Sequence, residues 1–263
     1  MSAGRFSLEG RRALVTGASS GIGRAVALGL AAEGAEIVIH HFGDAGGAEA
    51  TARDVGGSTP VFEADFTKPA AVESFADEVL STAGPIDILI SNAAIERRLP
   101  WHDADPAHVE AHVASNFTAL ITLARKFVPP MAERGWGRVV ATGSIMASRP
   151  RAETIVYASL KSAQLTAIRA LARDVAPRGV TMNVVSPGAI ETEATAPRYE
   201  DAAFRRAVAV KIPVGRHGMP EDLVGAYIFL CSDAASYVTG VNIPVDGGWS
   251  IGDAPGVLPG EAA

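Results

Sequence analysis

Seven short runs of β-branched and apolar residues, at 12–16, 36–40, 60–64, 87–91, 138–142, 180–184 and 242–245, recur along this chain with helical stretches between most of them. A strand–helix–strand repeat joins its strands in parallel, and a parallel sheet needs helices over both faces. The expected fold is therefore α/β, a seven-stranded parallel sheet flanked by helices on both sides. In such sheets ligands bind beyond the carboxyl ends of the strands. Gly17, His41, Asp65, Asn92, Ser144 and Pro187–Gly188 each follow one of the runs, which puts six polar or glycine positions on one rim and predicts a single site there.

The first run opens directly into Gly17-Ala-Ser-Ser-Gly21-Ile-Gly23 and then into a helix-like stretch, Arg24 to Glu33. Glycines there let the backbone turn sharply and approach a pyrophosphate, whose charge is favoured by the free N–H groups and positive dipole end of the helix. The spacing is G-x-x-x-G-x-G rather than G-x-G-x-x-G. Between a strand and a helix it reads as a dinucleotide-binding loop.

Residues 154–175 carry Ile155, Leu160, Leu165, Ile168, Leu171 and Val175 at nearly helical spacing, so Tyr157 and Lys161 share one helix face. A tyrosine titrates near pH ~10, and a cation within a few ångströms lowers that by roughly 1 to 3 pH units. The expectation is a phenol made acidic by the ammonium one turn away. It can take an alcohol proton as hydride leaves the carbon, or protonate a carbonyl oxygen as hydride arrives. Ser144, thirteen residues before Tyr157, would donate a hydrogen bond to the same oxygen.

These residues together resemble the short-chain dehydrogenase/reductase family, in its one-domain subgroup, over about residues 7–250. The resemblance implies a Rossmann-like doubly wound fold and Asn116, Ser144, Tyr157 and Lys161 as catalytic residues. Tyr157 is then the acid/base, Lys161 lowers its pKa and binds the nicotinamide ribose, Ser144 polarises the substrate oxygen and Asn116 carries a water that passes protons out. The residues it implies for the cofactor are Gly17, Ser19, Ser20, Gly21, Ile22 and Gly23 in the loop, His41 after the second strand, Asp65 and Phe66 on the adenine side, and Asn92 and Ala93 after the fourth strand. Tyr157, Lys161, Pro187, Gly188, Ile190 and Thr192 line the nicotinamide half. Ala94 departs from the family, which usually has glycine there; its methyl group is not expected to abolish binding. A homotetramer is also implied, with the helices of Asn116 and Tyr157 at one interface.

The cofactor is expected to be NADP or NAD, with a slight preference for NADP. The second strand ends in His40-His41-Phe42 with no carboxylate before Asp44, so nothing there would repel a 2′-phosphate.

The 263 residues are 48% hydrophobic and 20% charged, and the α/β pattern runs through without a linker, which predicts one domain with an irregular Gly/Pro-rich tail from 252 to 263. The formal charge of −6 and scattered basic residues exclude a phosphate-backbone footprint, so nucleic acid is not an expected partner. No apolar run approaches the ~18 residues that span a bilayer, the first nine residues lack a signal-peptide core, and Cys231 is the lone cysteine. A cytoplasmic protein without membrane contact is expected. His108 and His112 stand at i and i+4, but no third ligand is spaced nearby and no metal is expected.

Ser144, Met146, Glu96, Tyr157 and Ala189 are the expected substrate contacts, in loops at 96–101 and 145–151 and a helix-like stretch at 194–210. Glu96, Arg97, Arg98, Arg149, Arg151 and Glu153 make that neighbourhood polar. A sugar or polyol dehydrogenase is favoured. A 3-oxoacyl-thioester reductase is the alternative, and a catalytically silent nicotinamide-binding regulator is the alternative of another class.

Overall fold

The computed structural model describes residues 4–252; the remainder of the expected irregular tail, 253–263, lies outside the described residues. Seven parallel strands form one sheet: β1 (Arg12–Thr16), β2 (Glu36–His41), β3 (Val61–Glu63), β4 (Ile88–Ser91), β5 (Gly137–Thr142), β6 (Val180–Pro187) and β7 (Asn242–Val245). They lie in the order β3-β2-β1-β4-β5-β6-β7, so the chain winds outward from β1, returns and winds the other way from β4. A crevice opens where the direction reverses, beyond the ends of β1 and β4.

Among the helices are α1 (Gly21–Ala32), α2 (Ala45–Val55), α3 (Pro69–Thr82), α4 (Pro106–Val113), α5 (Ala119–Glu133), α6 (Ile155–Val175), α7 (Ala196–Tyr199), α8 (Ala202–Ala209) and α9 (Glu221–Cys231). Strand residues alternate between two cores. Leu14, Leu89, Val139 and Met182 pack with Phe75, Leu123 and Ile168 on the α3–α5–α6 face. Val15, Ile90, Val140 and Val185 pack with Val26, Leu30 and Tyr227 on the α1–α9 face. With both faces covered, the strands must read as unbroken apolar runs, which is why they stand out in the sequence.

Two elements were not foreseen. The stretch expected to be helical at 194–210 is broken into α7 and α8, with Asp201 capping α8 by accepting from the Ala203 N–H at 2.8 Å. Between α4 and α5 the helix passes through one π-turn, Ala114–Thr118, which holds Asn116. An extra residue in a helical turn leaves no hydropathy signature, but such turns recur at functional sites.

Candidate active site

The first loop is built as the glycine pattern predicts. Gly17 has φ +66°, and a Cβ there would lie 3.1 Å from the Ala93 Cα; a Cβ on Gly23 would lie 2.0 Å from the Gly17 carbonyl oxygen. No side chain could be accommodated at Gly23 without moving the loop. Thr16, inside β1, ties this loop to the next strand end: its hydroxyl donates to the Ile90 carbonyl at 3.1 Å and accepts from the N–H groups of Asn92 and Ala93 at 2.9 and 3.0 Å. Asn92 answers with its amide, donating to the carbonyls of Thr16 and Gly17 at 3.0 and 3.2 Å. Ala94 has an ordinary negative φ, since no described non-glycine residue has a positive one, so its methyl group costs no strain.

The N-terminus of α1 has no side-chain cap from Ser20, and the Gly21 N–H instead donates to Glu193 Oε2 at 2.9 Å. A carboxylate therefore stands where a pyrophosphate oxygen is expected, a stand-in anion that shows the cradle fits a negative group. Glu193→Gln is expected to tighten NADPH binding by about 2–5-fold by weakening this internal competitor. Equilibrium titration checks it; unchanged or weaker binding in the variant would mean that Glu193 does not compete.

The adenine side is organised around His40. Not His41 but His40 serves the glycine loop: its Nδ1 accepts from the Gly17 N–H at 3.1 Å, and its Nε2 lies 3.0 Å from the Ala64 carbonyl, which fixes the Nε2–H tautomer. His41 is buried and its Nδ1 finds no partner among the described residues. Strand alternation sends the two rings to opposite faces, and only His40 lies beneath Gly17. Phe66 is a core residue, stacked on His40 with ring centroids 4.0 Å apart. Asp65 ends the loop after β3 and accepts from the Thr67 N–H and hydroxyl at 3.0 and 2.6 Å, which, with Lys68 nearby, holds its carboxyl below the usual range.

Burial lowers His40 to about 4 from an ordinary 6.5. The folded state thus binds fewer protons than the unfolded chain between those values, and stability falls as the pH drops through that window. His40→Leu orphans a loop N–H and the Ala64 carbonyl, each costing about 1–3 kcal/mol. Denaturant titration is expected to show a loss of at least about 2 kcal/mol, with the acid-side fall of stability flattened.

At the other half of the crevice α6 starts at Ile155 and carries Tyr157 and Lys161, the latter to the end of β5. The shared face is as expected, but its electrostatics are not. Lys161 is 2% exposed, its Nζ donates to the Thr142 carbonyl at 2.6 Å, and it lies 5.4 Å from the centre of the Tyr157 ring. Burial pulls this ammonium down to about 7, and Glu96 partly restores it. Burial also pushes the Tyr157 phenol above its ordinary value; Glu96 adds to that rise, while Ser144 and Arg98 offset part of it. Burial thus acts on the phenol in the direction opposite to the one expected from the ammonium, because taking it out of water disfavours the phenolate.

Ser144 Oγ accepts from the Met146 N–H at 3.1 Å, leaving its own proton free to point into the crevice. Thr142, which sequence reasoning missed, holds the floor. It donates to Asn92 Oδ1 at 3.0 Å, so the Tyr227 hydroxyl 2.6 Å away must donate to it. Asn116 does not face the crevice: its side chain clasps Ile95, accepting from its N–H at 2.9 Å and donating to its carbonyl at 2.8 Å. The freed Asn116 main-chain carbonyl accepts from the buried Gln164 amide, one turn past Lys161, a partner the sequence did not signal. His112, on the preceding turn, uses Nδ1 on the His108 carbonyl at 2.8 Å and Nε2 on the Arg97 N–H at 3.2 Å, so it anchors the 96–98 loop and has no lone pair left for a metal.

The crevice is a cavity of about 760 Å³. Ser144, Tyr157, Met146, Glu96 and Ala189 line it, as do Ile22 from the glycine loop and Pro187, Gly188, Ile190 and Thr192 from the predicted nicotinamide half. Trp101, expected in the pocket neighbourhood, is 64% exposed and is not among its lining residues; Trp249, after β7, lines it instead and its carbonyl accepts from Arg149. A family model described as "Enoyl-(Acyl carrier protein) reductase" matches residues 17–250. The chain belongs to the short-chain dehydrogenase/reductase family. It is accordingly an NAD(P)-dependent oxidoreductase. This short-chain dehydrogenase/reductase is 35% identical to the 3-oxoacyl-(acyl-carrier-protein) reductase of Escherichia coli (strain K12) over 251 residues, 92% of this chain and 98% of that protein. It is 36% identical to the gluconate 5-dehydrogenase of Gluconobacter oxydans over 250 residues, 94% and 97% of the two. The crystal structure of a gluconate 5-dehydrogenase from Burkholderia cenocepacia J2315, in complex with NADP and tartrate, superposes with a TM-score of 0.87 at 35% identity, covering 95% of this chain and 99% of that one.

Proposed function

We propose that this chain transfers hydride reversibly between NADP and a secondary alcohol of a sugar or polyol, with Tyr157 as acid/base. The observation that carries the reading is that Ser144 and Tyr157 line one cavity together with Pro187, Gly188, Ile190 and Thr192. When bound, the nicotinamide supplies or accepts the hydride. Ser144 donates its free proton to the reacting oxygen and orients it. In the reductive direction Tyr157, protonated at neutral pH, gives that oxygen its proton. In the oxidative direction the Tyr157 oxygen takes it back, and Lys161 supplies the positive charge that makes this possible once it is protonated. Asn116 and Gln164 hold the π-turn against the Ile95 loop that borders the pocket.

NADP is preferred on the character of the β2 end: both histidines are buried, Asp44 is engaged as the cap of α2, accepting from the Gly47 N–H at 3.1 Å, and Glu63 accepts from the Gly43 N–H at 3.0 Å. Both carboxylates keep their charge, but each is turned onto a backbone N–H and neither belongs to the last residues of β2. The NADP in the Burkholderia structure agrees. Arg24 pairs with Asp54 and is not offered as the phosphate ligand. A reductase of 3-oxoacyl thioesters is the second reading, favoured by the Escherichia coli relative. Steady-state nicotinamide absorbance with NADP and NAD against polyols, sugar acids and 3-oxoacyl thioesters separates the readings. Turnover of thioesters alone would remove the first, and cofactor binding without turnover would favour a silent regulator.

We take the chain as one catalytic domain in the cytoplasm. Among the described residues no helix is long and apolar enough to cross a membrane. A homotetramer is supported by Val113, Ile121 and Ile155, apolar and exposed on the helices that flank Asn116 and Tyr157. Light scattering tests it.

A further inference from the structure

The cavity is lined by one carboxylate and five cationic side chains: Glu96 against Arg98, Arg149, Arg151, Arg198 and Lys211. That excess stands in a chain whose formal charge is −6. Most of these charges have partners. Arg98 Nε meets Glu96 Oε1 at 2.8 Å, Arg151 reaches Glu153 at 4.0 Å, and Arg149 is held on the Trp249 carbonyl. The acids of the overlying segment are also engaged: Glu191 lies 2.8 Å from His217 Nε2, and Glu193 sits on the Gly21 N–H. Arg198, at the end of α7, and Lys211, just past α8, form no ion pair among the described residues. Both line the same cavity as Ser144 and Tyr157.

Resting on the polyol reading above, we propose that the substrate is a polyhydroxy acid, its hydroxyl carbon at Tyr157 and its carboxylate held by Arg198 and Lys211. Two exposed cations that line the cavity and have no ion-pair partner among the described residues can each meet an anion that enters it, and a guanidinium offers the forked geometry that a carboxylate matches. Their field also raises the encounter rate of an anionic substrate against the chain's overall negative charge. A neutral polyol would leave both cations without a partner.

The experiment compares kcat/KM for aldonates and for the alditols of the same carbon skeleton, at low and at high ionic strength. The wild-type enzyme is expected to prefer the acid, and added salt is expected to reduce its kcat/KM for the acid more than for the alditol. Arg198→Met and Lys211→Met, both exposed, are each expected to lower the acid-to-alditol ratio by about 3–10-fold. Equal use of acid and alditol by the wild type overturns the inference while leaving the polyol reading intact. An acid preference that neither variant changes overturns the assignment of the two cations. Turnover of neither member, with preference for a coenzyme A thioester, removes the polyol reading and assigns the cations to a phosphate instead.

Discussion

Tyr157→Phe is expected to retain most of the NADPH affinity and to lose about 10²–10⁴-fold in kcat, the range typical of a removed general acid/base. The substitution keeps the ring that packs at the start of α6 and deletes one oxygen. That oxygen lines the same cavity as Ser144 and has a pKa held above its ordinary value by burial and by Glu96. At neutral pH it is therefore a donor with its proton in place, suited to reduction. Oxidation requires the same oxygen to be deprotonated, so its rate is expected to rise with pH over a range where reduction falls. Equilibrium binding, kcat in both directions and their pH profiles check this. Normal activity in the variant would refute the assigned base.

Lys161→Met is expected to produce opposite effects on stability and activity. The wild-type ammonium is buried and held down to about 7, against 10.5 in the unfolded chain. Between those values the unfolded chain binds more protons, so wild-type stability rises with pH across that window, and below it the full cost of burying the charge is felt. A methionine of similar length fills the space without a charge. The variant is expected to unfold at higher denaturant than the wild type near pH 6, the difference narrowing toward pH ~10, while the loss of the hydrogen bond to the Thr142 carbonyl offsets part of the gain. Its kcat is expected to fall by at least about 10²-fold, since the cation that would stabilise a deprotonated Tyr157 is gone. A variant that is both less stable at every pH and fully active would overturn this account of the site.

Much of the frame was legible before any coordinates. The apolar runs lay within a few residues of all seven strands, because a strand covered on both faces has no polar side to disguise it. Gly17 and Gly23 were legible for a related reason: each stands where a Cβ would strike backbone. Ser144 and Tyr157 also met as expected, one from the end of β5 and one from the first turn of α6. His40 was passed over for its neighbour because choosing between adjacent residues requires the strand's facing, which a buried parallel strand conceals. Asn116 was recognised, but its attachment to Ile95 and Gln164 was not, because a π-turn changes hydrogen bonding and leaves hydrophobic spacing almost untouched.

Local sequence by itself determined the order of strands and helices, the need for glycine beside β1 and the four-residue spacing of phenol and amine, since each depends on short-range sterics and periodicity. Only the tertiary structure decided the charges of that pair, which carboxylate covers the phosphate cradle and which cations of the pocket lack partners. Those properties depend on how much water folding removes from each group and on which distant side chain arrives beside it, and neither quantity is encoded in any short stretch of chain.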